Sequence, residues 1–218
     1  MLPANRRKGV SLLELVMGAA LASLLLTLLF QVIVPMARGA VGMSDQSHLE
    51  SMALIVVNKL QADLQSSCAA GLSAASTPTR SQALAIHPVA GIDQQGRTVY
   101  ENRLIVWYWL YTEGRVIWRK WPPAPPILSW TPTTTLPARV PSADFSSLMV
   151  DAPGARTLAA FVTDFQITGV SGGYVSPPVK VRLSLEKPST RPSGKASIVL
   201  ERAIYLPNTS SLTRQEKP

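Results

Sequence analysis

Lys8-Gly9-Val10-Ser11-Leu12-Leu13-Glu14, followed by an uncharged run from Leu15 to Val34, is the stretch on which the fold turns. As a helix the run covers about 30 Å at 1.5 Å per residue, close to the hydrocarbon thickness of a bilayer. Glu14 stands at its start. An ionisable group at membrane depth costs roughly 2.5–3.5 kcal/mol on insertion scales, so a carboxylate there implies a partner or a mechanism. Arg6-Arg7-Lys8 precede the run and only Arg38 follows it closely. The positive-inside bias therefore leaves the N-terminus cytoplasmic and sends the rest of the chain outward. Ser23, Thr27 and Gln31 are the polar side chains within the run. Their four-residue spacing puts them on one helical face, where they either meet another helix or bond back to their own backbone.

A secretory signal peptide also has a basic start, an apolar centre and a small-residue cleavage site, and Ala20-Leu21-Ala22 offers such a site. Against it, Glu14 interrupts the apolar centre and the run continues well past Ala22. A plain single-pass anchor explains the run but not the position of Glu14.

Gly9-Val10-Ser11-Leu12-Leu13-Glu14 resembles the class III signal of type IV pilins and type II secretion pseudopilins. The resemblance implies that a prepilin peptidase cuts between Gly9 and Val10 on the cytoplasmic side and methylates the new amine of Val10. Val10 stands where that family usually has Phe or Met. Glu14 then becomes the fifth mature residue. Its carboxylate, in low dielectric, would be attracted to the Val10 amine of a neighbouring subunit. Such a pair offsets the desolvation of both groups and fixes helix register. The alternative is an anchor glutamate that snorkels to the interface.

The 218 residues suffice for one anchored globular domain. Formal net charge is +8; losing Arg6, Arg7 and Lys8 with the leader takes 21 basic residues to 18 against 13 acidic, leaving +5. The charges are scattered, which favours an ordinary solvated surface over a nucleic-acid footprint. Cys68 is the only cysteine, so no intramolecular disulfide forms and the exported domain relies on its hydrophobic core. Cys68 reads as a small buried residue.

Five segments follow. Residues 1–9 form the leader, 10–34 a transmembrane helix, 35–70 a kinked continuation and amphipathic exported helix, 71–209 a β-rich globular domain, and 210–218 a polar tail. Pro35, Gly39 and Gly42 predict a kink or loosened stretch. Leu49, Met52, Val56, Leu60 and Leu64 then trace one apolar face of a second helix from 44 to 67, with Ser44 or Asp45 as cap. Asp63 falls within that apolar stripe, so it either finds a partner there or marks where the helix leaves the core. Residues 71–80 read as a loop and 83–88 as a short strand. Leu104 to Trp121 reads as a hairpin around Glu113-Gly114. The proline-dense stretch 122–141 reads as an irregular excursion. Residues 160–170 form a strand, and 179–185 pair as a hairpin with 197–206. The predicted class is α+β: a long N-terminal helix, transmembrane then exported, packed on an antiparallel sheet.

Little here carries chemistry. His48, His87 and Cys68 are far apart, a poor basis for a metal site, and no phosphate loop or nucleophile elbow occurs. Asp144, Asp151 and Asp164 are scattered acids near loops. Asn208-Thr209-Ser210 matches a glycosylation sequon. Neither a metal, a cofactor nor a catalytic set is predicted. Trp107 and Trp109 share one face of their strand, serving as sheet core, as a contact for a partner subunit, or as a stacking platform for bases.

The order of long helix, loop, paired strands and polar tail resembles the J-type minor pseudopilins and W-type minor pilins. That resemblance implies a non-enzymatic subunit, held in a bacterial inner membrane, that helps prime or cap a filament. Its implied partners are prepilin peptidase, other pilin subunits, the inner-membrane assembly platform and membrane lipid. Two alternatives remain open: a DNA-uptake pilin, and a single-pass membrane-anchored enzyme.

Overall fold

A computed structural model describes residues 11–76, 82–121, 133–149, 154–171, 174–189 and 194–206. The expected cleavage and methylation positions Gly9 and Val10, Trp130, Asp151, the Asn208 sequon and the polar tail lie outside them.

One helix, α1 (Leu12–Gln65), takes up 54 residues. It runs through Pro35 without interruption. A proline removes one hydrogen bond from the ladder, and the intact bonds on either side carry the helix past it. Ser44 and Asp45 therefore cap nothing. They sit inside α1, and Asp45 instead accepts from Lys187 Nζ and Ser189 Oγ, each at 2.9 Å.

Residues 11–41 are exposed throughout, and burial begins at Gly42. The exposed helical part, Leu12 to Val41, is about 45 Å long. Beyond it Leu49, Ala53, Val56, Val57, Leu60 and Leu64 enter the core with no exposed surface. The predicted stripe thus survives, rotated to include Ala53 and Val57, while Met52 lies at its margin.

Among the described residues, ten strands, a short α-helix and two 3-10 turns follow. The strands and the helix are β1 (Leu72–Ser76), β2 (Gln82–Ile86), β3 (Val89–Ile92), β4 (Thr98–Tyr100), β5 (Leu104–Leu110), β6 (Arg115–Trp121), α2 (Phe145–Leu148), β7 (Arg156–Ala159), β8 (Val162–Ser171), β9 (Tyr174–Pro188) and β10 (Lys195–Ile204). Strands β1-β2-β5-β6-β7 form one sheet, β10-β9-β8 a second, and β3-β4 a ribbon. Every pairing is antiparallel. The class is α+β, a long N-terminal helix packed on antiparallel sheet.

Both predicted hairpins form, Leu104 opposite Trp121 and Val179 opposite Ile204. Part of the predicted loop at 71–80 is strand instead: β1 pairs along β2 from Leu72 opposite Ile86 to Ser76 opposite Gln82. Its small side chains suit a sheet edge, and the fully buried Leu72 anchors it. The strands β3, β4 and β7 were not predicted; they are short and lack apolar alternation, so they depend on the neighbours that pair with them.

Strand β5 shows how the layers stack. Ile105, Trp107 and Trp109 face one core and Leu104, Val106 and Tyr108 the other, because successive strand side chains point to opposite faces. The first core includes α1 and the inner faces of β8, β9 and β10. The second is covered by Val140, at the described end of the proline-rich excursion, and by Phe145 and Leu148 of α2, which together act as a lid over the sheet's far side.

Candidate functional site

The start of α1 is built by two side chains. Ser11 is the N-cap, its Oγ accepting from the Leu13 N–H at 3.2 Å. Glu14 reaches back, its carboxylate accepting from the Ser11 N–H at 3.0 Å. The pair is a capping box, which satisfies helix N–H groups that have no partner within the helix. The Ser11-x-x-Glu14 spacing carries that signal in the sequence. It gives Glu14 a local role within its own chain, beside the intersubunit role expected for it.

Above this cap the helix is apolar and uncovered. Its most apolar window has a mean hydropathy of 2.2 and none of it is buried. Among the described residues α1 alone is long and apolar enough to cross a membrane. A water-soluble core helix of this apolarity would be buried against its own domain. Here Leu21, Leu25, Leu29 and Phe30 are all more than half exposed. The three polar residues of this segment divide. Ser23 Oγ donates to the Ala20 carbonyl and Thr27 Oγ1 to the Ser23 carbonyl, both at 2.8 Å. They bond back to their own helix.

At the other end, α1 is fastened to the five-stranded sheet through Asp63. Its Oδ2 accepts from Trp107 Nε1 at 2.9 Å and Trp118 Nε1 at 2.8 Å. Lys59, one turn earlier, lies 3.6 Å from Oδ1 and places its ammonium 4.1 Å from the centre of the Trp118 ring. Asp63 thus has partners inside the apolar stripe and does not mark an exit from the core. Trp107 lies opposite Trp118 across β5 and β6, so one carboxylate reaches both indoles. The sequence places Asp63 on the right face, but which indoles it meets depends on strand register, which sequence spacing does not give.

Trp107 is fully buried and Trp109 is 4 % exposed. Of the roles weighed for them, core is what their placement provides. In this conformation neither offers a face to a partner subunit or a base. Trp121 is fully buried in the second core.

A second polar cluster ties the lid to the sheet. His87, fully buried, accepts from the Ala138 N–H through Nδ1 at 2.8 Å. Nε2 must then carry the proton and donate to the Glu101 carbonyl at 2.7 Å. Its ring stacks on Tyr100 at 4.9 Å. Burial lowers the His87 pKa from its ordinary value, against smaller opposing effects from the Glu101 backbone and charge. The Tyr100 hydroxyl lies 3.2 Å from Cys68 Sγ. Burial, with help from that contact, pushes the Tyr100 pKa up. Cys68 is itself buried, as the sequence suggests. Tyr100 N–H bonds to Thr134 O and Val140 N–H to Ser73 Oγ, completing the attachment.

Of the scattered acids, Asp164 lies 3.7 Å from Arg182 on the outer face of the three-stranded sheet. Asp144 sits on a short turn ahead of α2. The two belong to different cores' surfaces and the structure does not bring them together as a site. His48, within α1, is likewise remote from His87.

Comparison with protein-family models, with curated proteins and with solved structures returns no match to this chain.

Proposed function

We propose that this chain is a minor pilin or pseudopilin, a structural subunit of the J or W type that helps prime or cap a filament. One observation carries the reading. A single helix is an uncovered apolar stalk over its first half and the spine of an antiparallel β-domain over its second. A cleavable signal peptide has no need of that continuity, because removing it would leave the domain intact. The class III-like sequence around Gly9 and Glu14 adds the processing step. Prepilin peptidase removes residues 1–9 and exposes the Val10 amine, which is then methylated. The stalk lies in the inner membrane with the β-domain outside, and packs with other subunits through its apolar surface. The buried Trp107 and Trp109 take away the aromatic stacking platform that favoured DNA uptake.

Mass spectrometry of the protein from a host that has prepilin peptidase tests this. A chain starting at Val10, carrying a methyl group, is expected. A chain retaining Met1, or starting after Ala22, refutes the reading. Glu14→Val is expected to be cleaved normally and to enter filaments poorly.

A further inference from the structure

Gln31 stands apart from the other polar residues of the stalk. Ser23 and Thr27 spend their hydroxyl protons on carbonyls of their own helix, whereas the Gln31 carboxamide has no hydrogen-bond partner among the described residues. A second, independent feature falls on the same residue. Pro35 lies inside the helix four residues later. Having no N–H, it gives nothing to the Gln31 carbonyl that a helix would otherwise bond there. Gln31 thus brings together an unpartnered side-chain amide and a backbone oxygen without its usual donor.

The depth of this site makes the vacancy costly. The charge-free span runs from Leu15 to Ala37, with Leu26 at its middle. Gln31 is five residues further on, about 7.5 Å from the midplane of a layer about 30 Å thick. Its short side chain cannot reach the interface as a lysine can. Amide groups in hydrocarbon need a partner, and helix association through polar side chains supplies one.

We propose that Gln31 pairs with Gln31 of a second copy of this chain, forming a reciprocal carboxamide contact between two parallel membrane helices. Two properties select the second copy. A carboxamide is self-complementary, since its NH2 donates and its oxygen accepts. Copies inserted with the same topology place residue 31 at the same depth. The stalk is uncovered there, with Phe30 and Ile33 exposed beside it, so nothing in the chain blocks the approach. The inference rests on the membrane-spanning part of the proposed function, not on cleavage or filament assembly.

The test uses the full chain, donor- and acceptor-labelled, in phosphatidylcholine vesicles at increasing lipid dilution, read by energy transfer. Gln31→Leu is expected to weaken association about three- to thirtyfold, the range for one interhelical polar contact in a membrane. Thr27→Val, which removes a hydroxyl already bonded to its own helix, is expected to leave association unchanged. A mixture of wild type with Gln31→Leu should be as weak as the variant with itself, because a reciprocal pair fails when either member is lost. Unchanged transfer in Gln31→Leu, equal loss in Thr27→Val, or a mixed pair as strong as wild type overturns the proposal. Alkaline carbonate extraction separates the two levels: release of the chain from the vesicles overturns the membrane reading as well, whereas retention without association overturns the Gln31 pair alone.

Discussion

Removing the Asp63 carboxylate should destabilise the β-domain far more than its single position suggests. Asp63→Ala leaves two buried indole N–H groups, on Trp107 and Trp118, without their acceptor. An orphaned buried donor costs about 1–3 kcal/mol, so the two together amount to about 2–6 kcal/mol. The Lys59 ion pair adds little, because Lys59 is about a third exposed and surface pairs contribute at most about 1 kcal/mol. Set against the usual 5–15 kcal/mol of net stability, that loss takes a large share. Asp63→Asn, with its carboxamide oxygen in the place of Oδ2, still accepts from both indoles and should lose less than Asp63→Ala. The assay is urea denaturation of the full chain in detergent, followed by far-ultraviolet circular dichroism because the probes are themselves tryptophans. Trp107→Phe in the wild-type background should cost more than in the Asp63→Ala background, with a coupling of at least about 1 kcal/mol. A loss under about 1 kcal/mol in Asp63→Ala, or zero coupling, would show that the indoles do not depend on this carboxylate.

Lowering the pH should loosen the lid. The folded-state His87 pKa lies below its unfolded value of 6.5, so the unfolded chain binds more protons between the two. Stability is then fully present above about pH 6.5 and is lost as pH falls through the folded pKa; His87→Gln should flatten the acid limb of urea midpoints measured from pH 7.5 to 5. Gly169 has φ of +88°, and an added Cβ would stand 2.7 Å from Ser176 O and 2.9 Å from Pro178 O. Gly169→Ala should therefore cost well over the roughly 1–2 kcal/mol of left-handed backbone strain, whereas Gly96→Ala, with φ of +77° but open space around it, should cost about that strain alone; equal thermal shifts would refute the steric argument. Glu14→Gln keeps a capping-box acceptor but removes the charge. If charge pairing drives assembly, it should impair filament entry as much as Glu14→Val; wild-type assembly by Glu14→Gln would assign the effect to the cap.

How far the sequence reveals this fold varies with the range of the forces involved. The long helix, the two hairpins and the buried state of Cys68 rest on local periodicity and composition, and those signals are strong here. The separate helix start expected at Ser44 or Asp45 does not form, because the helix is already continuous there from Leu12 and carries Pro35, Gly39 and Gly42 within it. The strand β1 was hidden because Leu72-Ser73-Ala74-Ala75-Ser76 has no pattern of its own and takes its form from pairing with β2. Strand β5 is apolar on both faces because it has a core on each side, so it shows no alternation to read. Asp63 reaches Trp107, 44 residues away along the chain, and His87 reaches Ala138, 51 residues away. No local spacing reports such contacts.

The same distinction bears on Glu14. Its carboxylate already has a donor within the chain, the Ser11 N–H, so an intersubunit pair would have to outcompete a bond that costs no assembly entropy. A cap of this kind contributes about 0.5–2 kcal/mol. An ammonium brought against the same carboxylate in low dielectric attracts it more strongly than a neutral amide does. The carboxylate has a second oxygen with which to accept it, so the exchange need not be complete. On the proposed function, the local cap and a neighbour's amine would share one carboxylate at one end of one helix. Glu14 holds the helix start in order within its own chain, and its second oxygen would be the one to receive a neighbour's charge if the proposed processing occurs.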